Sequence, residues 1–320
     1  MSISPESRGP VAGGAPTEAP APAEGSAPAP GGAGPAADKS NAPAWALPLR
    51  IASGLVFVPL LILLARVGGM AFWYFVALQA SLGLIEFYRM MHGRGLRPYR
   101  RLGLASAVVM LWVCFRPQTP HLGFLVTAVL LLVLALELRR PEARQRVEDI
   151  AVTWFGVLYV GWLSAHFVLL RELPWRVGTG YGDGAAYVLL AFFVTWSCDT
   201  GAYAFGRLFG RNRPWAMISP RKTVEGSAGG LLCALIAAFV ARAWFAPFLG
   251  ARDALALGAL VGVFAQVGDL VESLLKRDAR HTASSDLIPG HGGILDRFDS
   301  LYFAAPIVYY YLLIVVFRVP

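Results

Sequence analysis

The chain has 320 residues, of which 56% are hydrophobic and 15% charged. Soluble domains average about 45–50% apolar and about 25% charged residues, so this composition excludes an ordinary soluble enzyme. The formal net charge is +8, from 28 Lys+Arg against 20 Asp+Glu. The cations sit in loops between apolar runs, which makes membrane topology their first explanation and nucleic acid a poor one. Cys114, Cys198 and Cys233 lie in apolar surroundings without a Cys-x-x-Cys pair, so they suggest neither a disulfide framework nor a zinc site.

Residues 1–45 are rich in Ala, Pro and Gly and poor in aliphatics, and the first 44 hold nine of the 22 prolines. Such a segment cannot bury enough apolar surface to offset its ordering entropy, and a disordered tail is expected. It lacks the basic start and apolar run of a signal peptide. Residues 46–320 form the expected membrane domain.

Apolar stretches follow in series at about 49–65, 70–88, 103–115, 121–138, 150–170, 185–206, 226–246, 253–275 and 301–317. The expected fold is all-α: a polytopic membrane protein of about nine transmembrane helices, the third short enough to tilt or re-enter. With the N-terminus placed in the cytoplasm, the inside segments hold 21 basic residues and the outside segments six. That asymmetry is the positive-inside pattern, and it expects an outward C-terminus.

Three polar regions fall on the expected cytoplasmic side. The first is the end of the eighth stretch: Gln266, Asp269, Glu272, Ser273 and Lys276. At about 100° per residue, Glu272, Ser273 and Lys276 all lie within about 60° of Asp269, so an apolar helix carries one narrow polar stripe. A helix end entering water with an internal ion pair is the plainer account. The second region is Ile288-Pro-Gly-His-Gly-Gly-Ile-Leu-Asp-Arg-Phe-Asp-Ser300. Its glycines permit close backbone approach, and Asp296, Arg297 and Asp299 arrive just before the last stretch. Here a turn with an acidic cap on the next helix is the alternative. The third comprises Asp199-Thr-Gly-Ala-Tyr203 and the loop Ser219-Pro-Arg-Lys-Thr-Val-Glu-Gly226. Arg221 and Lys222 either grip phosphates or simply enforce topology. Carboxylates repel phosphates unless a metal intervenes, so the three regions together point to a metal-bridged phosphate substrate. Mg²⁺ suits oxygen ligands that share the ion with phosphate oxygens.

These segments resemble the phosphatidate cytidylyltransferase (CDP-diacylglycerol synthase) family. The likeness centres on Ser273-x-x-Lys276-Arg277 followed by Pro289-Gly-His-Gly-Gly-x-x-Asp296-Arg297-x-Asp299. Asp199-Thr-Gly-Ala-Tyr203 and Ser219-Pro-x-Lys222-Thr-x-Glu225-Gly226 look like its other landmarks, and Glu86-Phe-Tyr88 like an earlier, less specific one. The likeness covers about residues 50–320. One departure stands out: the family pattern carries Lys-Asp where this chain has Thr282-Ala283. Arg280 or His281 stands near for the missing cation, and Asp286 for the carboxylate.

The resemblance implies that CTP and phosphatidate become CDP-diacylglycerol and pyrophosphate. It implies Asp269 and Asp296 as metal ligands, with Asp299 as a further ligand, and Mg²⁺ as cofactor with room for a second cation. Lys276 and Arg277 join Asp269 and Asp296 as catalytic candidates. Asp199, Lys222, Ser273, His291, Gly292, Gly293 and Arg297 are the substrate-binding candidates. The expected partners are CTP, phosphatidate and membrane lipid, with no nucleic acid, and a homodimer is an assembly open to such a chain. The expected location is the bacterial cytoplasmic (inner) membrane, active site facing the cytoplasm. The Thr282-Ala283 departure keeps open a CTP-dependent transferase or kinase acting on another lipid, or a catalytically impaired paralogue.

Overall fold

The computed structural model describes residues 46–116, 122–140, 145–279 and 293–319, with side chains in the first helix from Leu55 onward. The 1–45 tail, His291, Gly292 and the 280–286 departure lie outside the described residues. Among the described residues there is no β-strand, and the chain is all-α.

The helices are α1 (Ala46–Val67), α2 (Gly69–Gly93), α3 (Arg100–Phe115) and α4 (Leu122–Leu138). Next comes one rod, Arg146–Glu172, built from α5 (Arg146–Gly156), a π-helical turn (Val157–Trp162) and α6 (Leu163–Glu172). The short α7 (Pro174–Val177) precedes α8 (Asp183–Phe209), α9 (Val224–Trp244) and α10 (Ala251–Asp278). Finally α11 (Leu295–Tyr310) continues into a second π-helical turn, Tyr311–Val316.

Each expected apolar stretch falls on one of these helical segments. Six described segments are long and apolar enough to cross a bilayer: Gly69–Gly93, Arg146–Glu172, Asp183–Phe209, Val224–Trp244, Ala251–Asp278 and Leu295–Val316. Length and hydropathy thus account for six of the nine expected spans. The 16 residues of α3 start on the Arg100-Arg101 pair and rise about 24 Å, short of the roughly 30 Å hydrocarbon core. The described apolar lengths of α1 and α4 are Leu55–Val67 and Leu122–Leu138. Both turn leucines such as Leu63 and Leu131 outward, as lipid-facing helices do.

Helices α8 to α11 pack most closely, and small residues set their spacing. Gly229 and Gly230 of α9 sit against Phe205 and Ala202 of α8, and Gly258 and Gly262 of α10 sit against Leu235 and Leu231 of α9. A Cβ on Gly268 of α10 would fall 2.6 Å from the Asp299 carbonyl oxygen of α11. That glycine lets α11 approach α10 where the polar stripe lies.

At the opposite end, Arg171 is not the loop cation that the charge pattern suggests. It is 1% exposed. Its Nε donates to the Ala65 carbonyl (2.6 Å), Nη1 to that of Tyr181 (3.0 Å) and Nη2 to that of Arg66 (3.3 Å). The guanidinium lies 4.1 Å from the Tyr181 ring centroid, and Tyr181 Oη donates to Glu172 and accepts from the Gly69 amide. Gly68, at φ +65°, turns the chain between α1 and α2; a side chain there would strike the guanidinium. Arg171→Leu leaves three carbonyl oxygens without their donor. It is expected to cost about 3 kcal/mol or more, seen as a lowered melting temperature in detergent; Arg171→Lys recovers only part, because one ammonium cannot reproduce the fork. A wild-type melting temperature in the Leu variant would contradict this account.

Candidate active site

The C-terminal halves of α8 and α10 meet the start of α11, and each helix delivers a carboxylate there. Asp199 lies on α8, Asp269 on α10 and Asp299 on α11. Asp199 and Asp299 meet at Ser300, and Gly268, the neighbour of Asp269, packs against the Asp299 carbonyl. Ser300 holds two of them: its Oγ donates to Asp199 Oδ1 (3.2 Å) and its amide to Asp299 Oδ1 (2.6 Å). Phe298 anchors this turn of α11 against Phe57 and Phe192, with ring centroids 6.5 and 6.3 Å apart.

Lys222 comes from the loop before α9, with Nζ 2.9 Å from Asp269 Oδ2. The Asp269 side chain is 38% exposed and that of Lys222 20%. The loop is built to present the lysine. Thr223 caps α9 by accepting from the Gly226 amide (3.1 Å), and Glu225 accepts from the Arg211 amide (3.1 Å) and from Asn212 Nδ2 (2.8 Å). Thr223-x-x-Gly226 before an apolar run is a readable N-cap signal.

One to two turns along α10 a second group forms. Lys276 Nζ lies 2.5 Å from Glu272 Oε2 and donates to Asp296 Oδ1 at 2.8 Å. The Gly293 amide donates to Asp296 Oδ2 (3.0 Å). Glu272 is fully buried, with its carboxylate against the Lys276 ammonium. The polar stripe therefore divides, with Asp269 facing Asp199 and Asp299 while Glu272 and Lys276 face Asp296.

Sequence reasoning gave Glu86 no role. It is fully buried on α2 and accepts from the Ile294 amide (3.1 Å) and the Leu295 amide (2.9 Å). It thereby caps the N-terminus of α11, the helix carrying Asp296 and Asp299, where the helix dipole favours a negative charge. A carboxylate inside the apolar run 70–88 was the available signal, since such residues are costly in a membrane and usually have a task. Ser300 was also missed, because a serine beside an acidic pair carries no distinctive pattern.

The remaining candidates are placed as follows. Arg277 is exposed, and its Nε donates to the Ile218 carbonyl (3.2 Å), tying α10 to the Lys222 loop. Ser273 is half-buried and Arg297 exposed. Tyr203 is 67% exposed and accepts from Arg207. Among the described residues, no three His, Cys, Asp or Glu side chains enclose a point tightly enough to hold a metal ion unaided. The arrangement is an open acidic face with cations at its rim.

This helical bundle, with its acidic face and the Gly293–Asp299 turn, belongs to the cytidylyltransferase family, whose model matches residues 48–315. The chain is similar to the phosphatidate cytidylyltransferase of Synechocystis sp., 35% identical over 289 residues that cover 83% of this chain and 96% of the relative. The enzymes of that name from Staphylococcus haemolyticus and Bacillus subtilis are 35% and 32% identical. They cover 79% and 82% of this chain, and 93% and 96% of their own lengths.

Proposed function

We propose that this protein transfers the cytidylyl group of CTP to phosphatidate, giving CDP-diacylglycerol and pyrophosphate, at the cytoplasmic face of a bacterial inner membrane. The carrying observation is the convergence of Asp199, Asp269 and Asp299 from three helices with Lys222 beside them. Three carboxylates in a half-desolvated site repel one another, and one lysine offsets only one charge.

The residues fit a divalent cation. The donors are all hard oxygens, and the cluster is partly open, the Asp269 side chain being 38% exposed. This matches the habit of Mg²⁺, which takes one or two carboxylates and leaves its other positions to water and phosphate oxygens. Asp269 and Asp299 would hold the ion, with Asp199 beside them. Asp296, paired with Lys276 at 2.8 Å, would stand beside this donor set. When bound, the ion supplies charge neutralisation and polarises the phosphoryl group.

In the reaction a phosphate oxygen of phosphatidate attacks the α-phosphorus of CTP. The new P–O bond forms as the bond from the α-phosphorus to the bridging oxygen breaks, and the electron pair leaves with pyrophosphate. The nucleophile is already an anion, so positioning and electrostatics carry the rate. Lys222 lies at the acidic face, its ammonium 2.9 Å from Asp269 Oδ2. With Lys276, Arg277 and Arg297 it neutralises the triphosphate and the lipid phosphate. Ser273 is a further donor.

Purified protein given labelled CTP and phosphatidate is expected to move the label into a lipid-soluble product with Mg²⁺ present, and to stop when the ion is chelated. Folded protein that yields no such product with Mg²⁺ would overturn the assignment.

A further inference from the structure

An apolar groove of about 300 Å³ runs between α1 and α8, closed at one end by α9. Val58, Ile62, Leu189, Phe193 and Trp196 line it, with Arg66 and Trp244 at the end far from the acidic face. From Val58 to Arg66 the groove follows eight residues of α1, about 12 Å, which is close to half the thickness of a hydrocarbon core.

We propose that this groove holds an acyl chain of the phosphatidate substrate; the inference rests on the reaction proposed above. Trp196 marks the inner end and stands three residues, one helical turn, before Asp199 on α8. The inner wall is continuous with the site: Phe192 lines the groove and contacts Phe298, which lies between Asp296 and Asp299 on α11. A lipid whose phosphate meets Lys222 and the acidic face therefore has a ready-made apolar path for its tail. The walls carry no charge until Arg66, so a headgroup cannot lie along them, while an acyl chain already in the bilayer can pack against them by van der Waals contact. Arg66 keeps its charge at the far rim and closes the path there. The groove thus sets how far a chain can extend from the reacting phosphate.

Leu189→Trp and Ile62→Trp each fill the groove from a different helix, so one folded variant suffices. The measured quantity is the ratio of KM for dioleoyl to KM for dihexanoyl phosphatidate, since a six-carbon chain has little to place in the groove. The ratio is expected to rise about tenfold, the effect of losing one or two methylenes' worth of apolar contact. A wild-type ratio in a folded variant would overturn the proposal. A second measurement does not need turnover. Phosphatidate carrying a diazirine at mid-chain is irradiated with the wild-type protein and the adduct mapped. Label on residues 189–196, displaced by dioleoyl phosphatidate but not by phosphatidylcholine, supports the groove. Label elsewhere, or displaced equally by both lipids, rejects it. Wild-type protein that labels there yet makes no cytidine lipid from either substrate would strike the proposed reaction and leave the groove standing.

Discussion

Asp269→Asn is expected to lower turnover of CTP and phosphatidate by about 10³-fold, roughly 4 kcal/mol of transition-state stabilisation. Asparagine keeps the shape but removes the charge that faces Asp199 and Asp299 and that pairs with Lys222 at 2.9 Å. On the proposed reaction, the loss would combine one donor for the proposed divalent ion with a lysine left without its counter-charge. Initial rates across Mg²⁺ concentrations separate the two: weakened ion binding moves the activation midpoint, while a mispositioned lysine raises the KM for CTP. Asp269 is partly exposed, so the melting temperature should change little. Near wild-type turnover would remove Asp269 from the reacting centre.

Glu86→Ala should be the second large effect, through a residue that lies one helix away from the acidic face. Its carboxylate receives two amides at the start of α11, one buried and one part-buried. Removing it leaves both without their acceptor and costs about 3 kcal/mol. The same change loosens the turn that fixes Asp296 and Asp299, and misplacing a positioned group by about 1 Å can cost about 100-fold. Below the melting temperature of both proteins, kcat should therefore fall about 100-fold, with a smaller change in KM for CTP. Glu86→Gln, which keeps one acceptor oxygen, should recover part of both losses. Wild-type kcat with a lowered melting temperature would confine Glu86 to stability.

The membrane architecture was legible because hydropathy reports burial in lipid directly, and each apolar run became a helix. The shortfall in α3 was legible too, since Arg100 and Arg101 cut its apolar length. The division of the polar stripe was not. Asp269, Glu272, Ser273 and Lys276 share a face by periodicity, but which neighbour each one meets depends on α11, whose approach is set by Gly268. The pairing of Lys276 with Asp296 follows from that tertiary contact, as does the grouping of Asp269 with Asp199. Arg171 misled for a related reason. Charge counting treats every arginine near a helix end as a topology signal, whereas the fold uses this one as a buried donor. Glu86 was visible as an oddity in an apolar run, but its partners lie more than 200 positions later in the chain.

The Arg171 knot also constrains how the protein is made. Its acceptors are separated unevenly in the sequence, Ala65 lying 106 positions before it and Tyr181 ten after. During synthesis the guanidinium emerges when the α1–α2 hairpin already exists but Tyr181 does not. A bare arginine entering lipid is costly. The nascent rod carrying it should therefore linger beside the insertion machinery until the ten following residues arrive, and commit to the bilayer together with α8. An early pause at this point, visible in a force-profile experiment on arrested chains, should vanish in the Arg171→Leu protein.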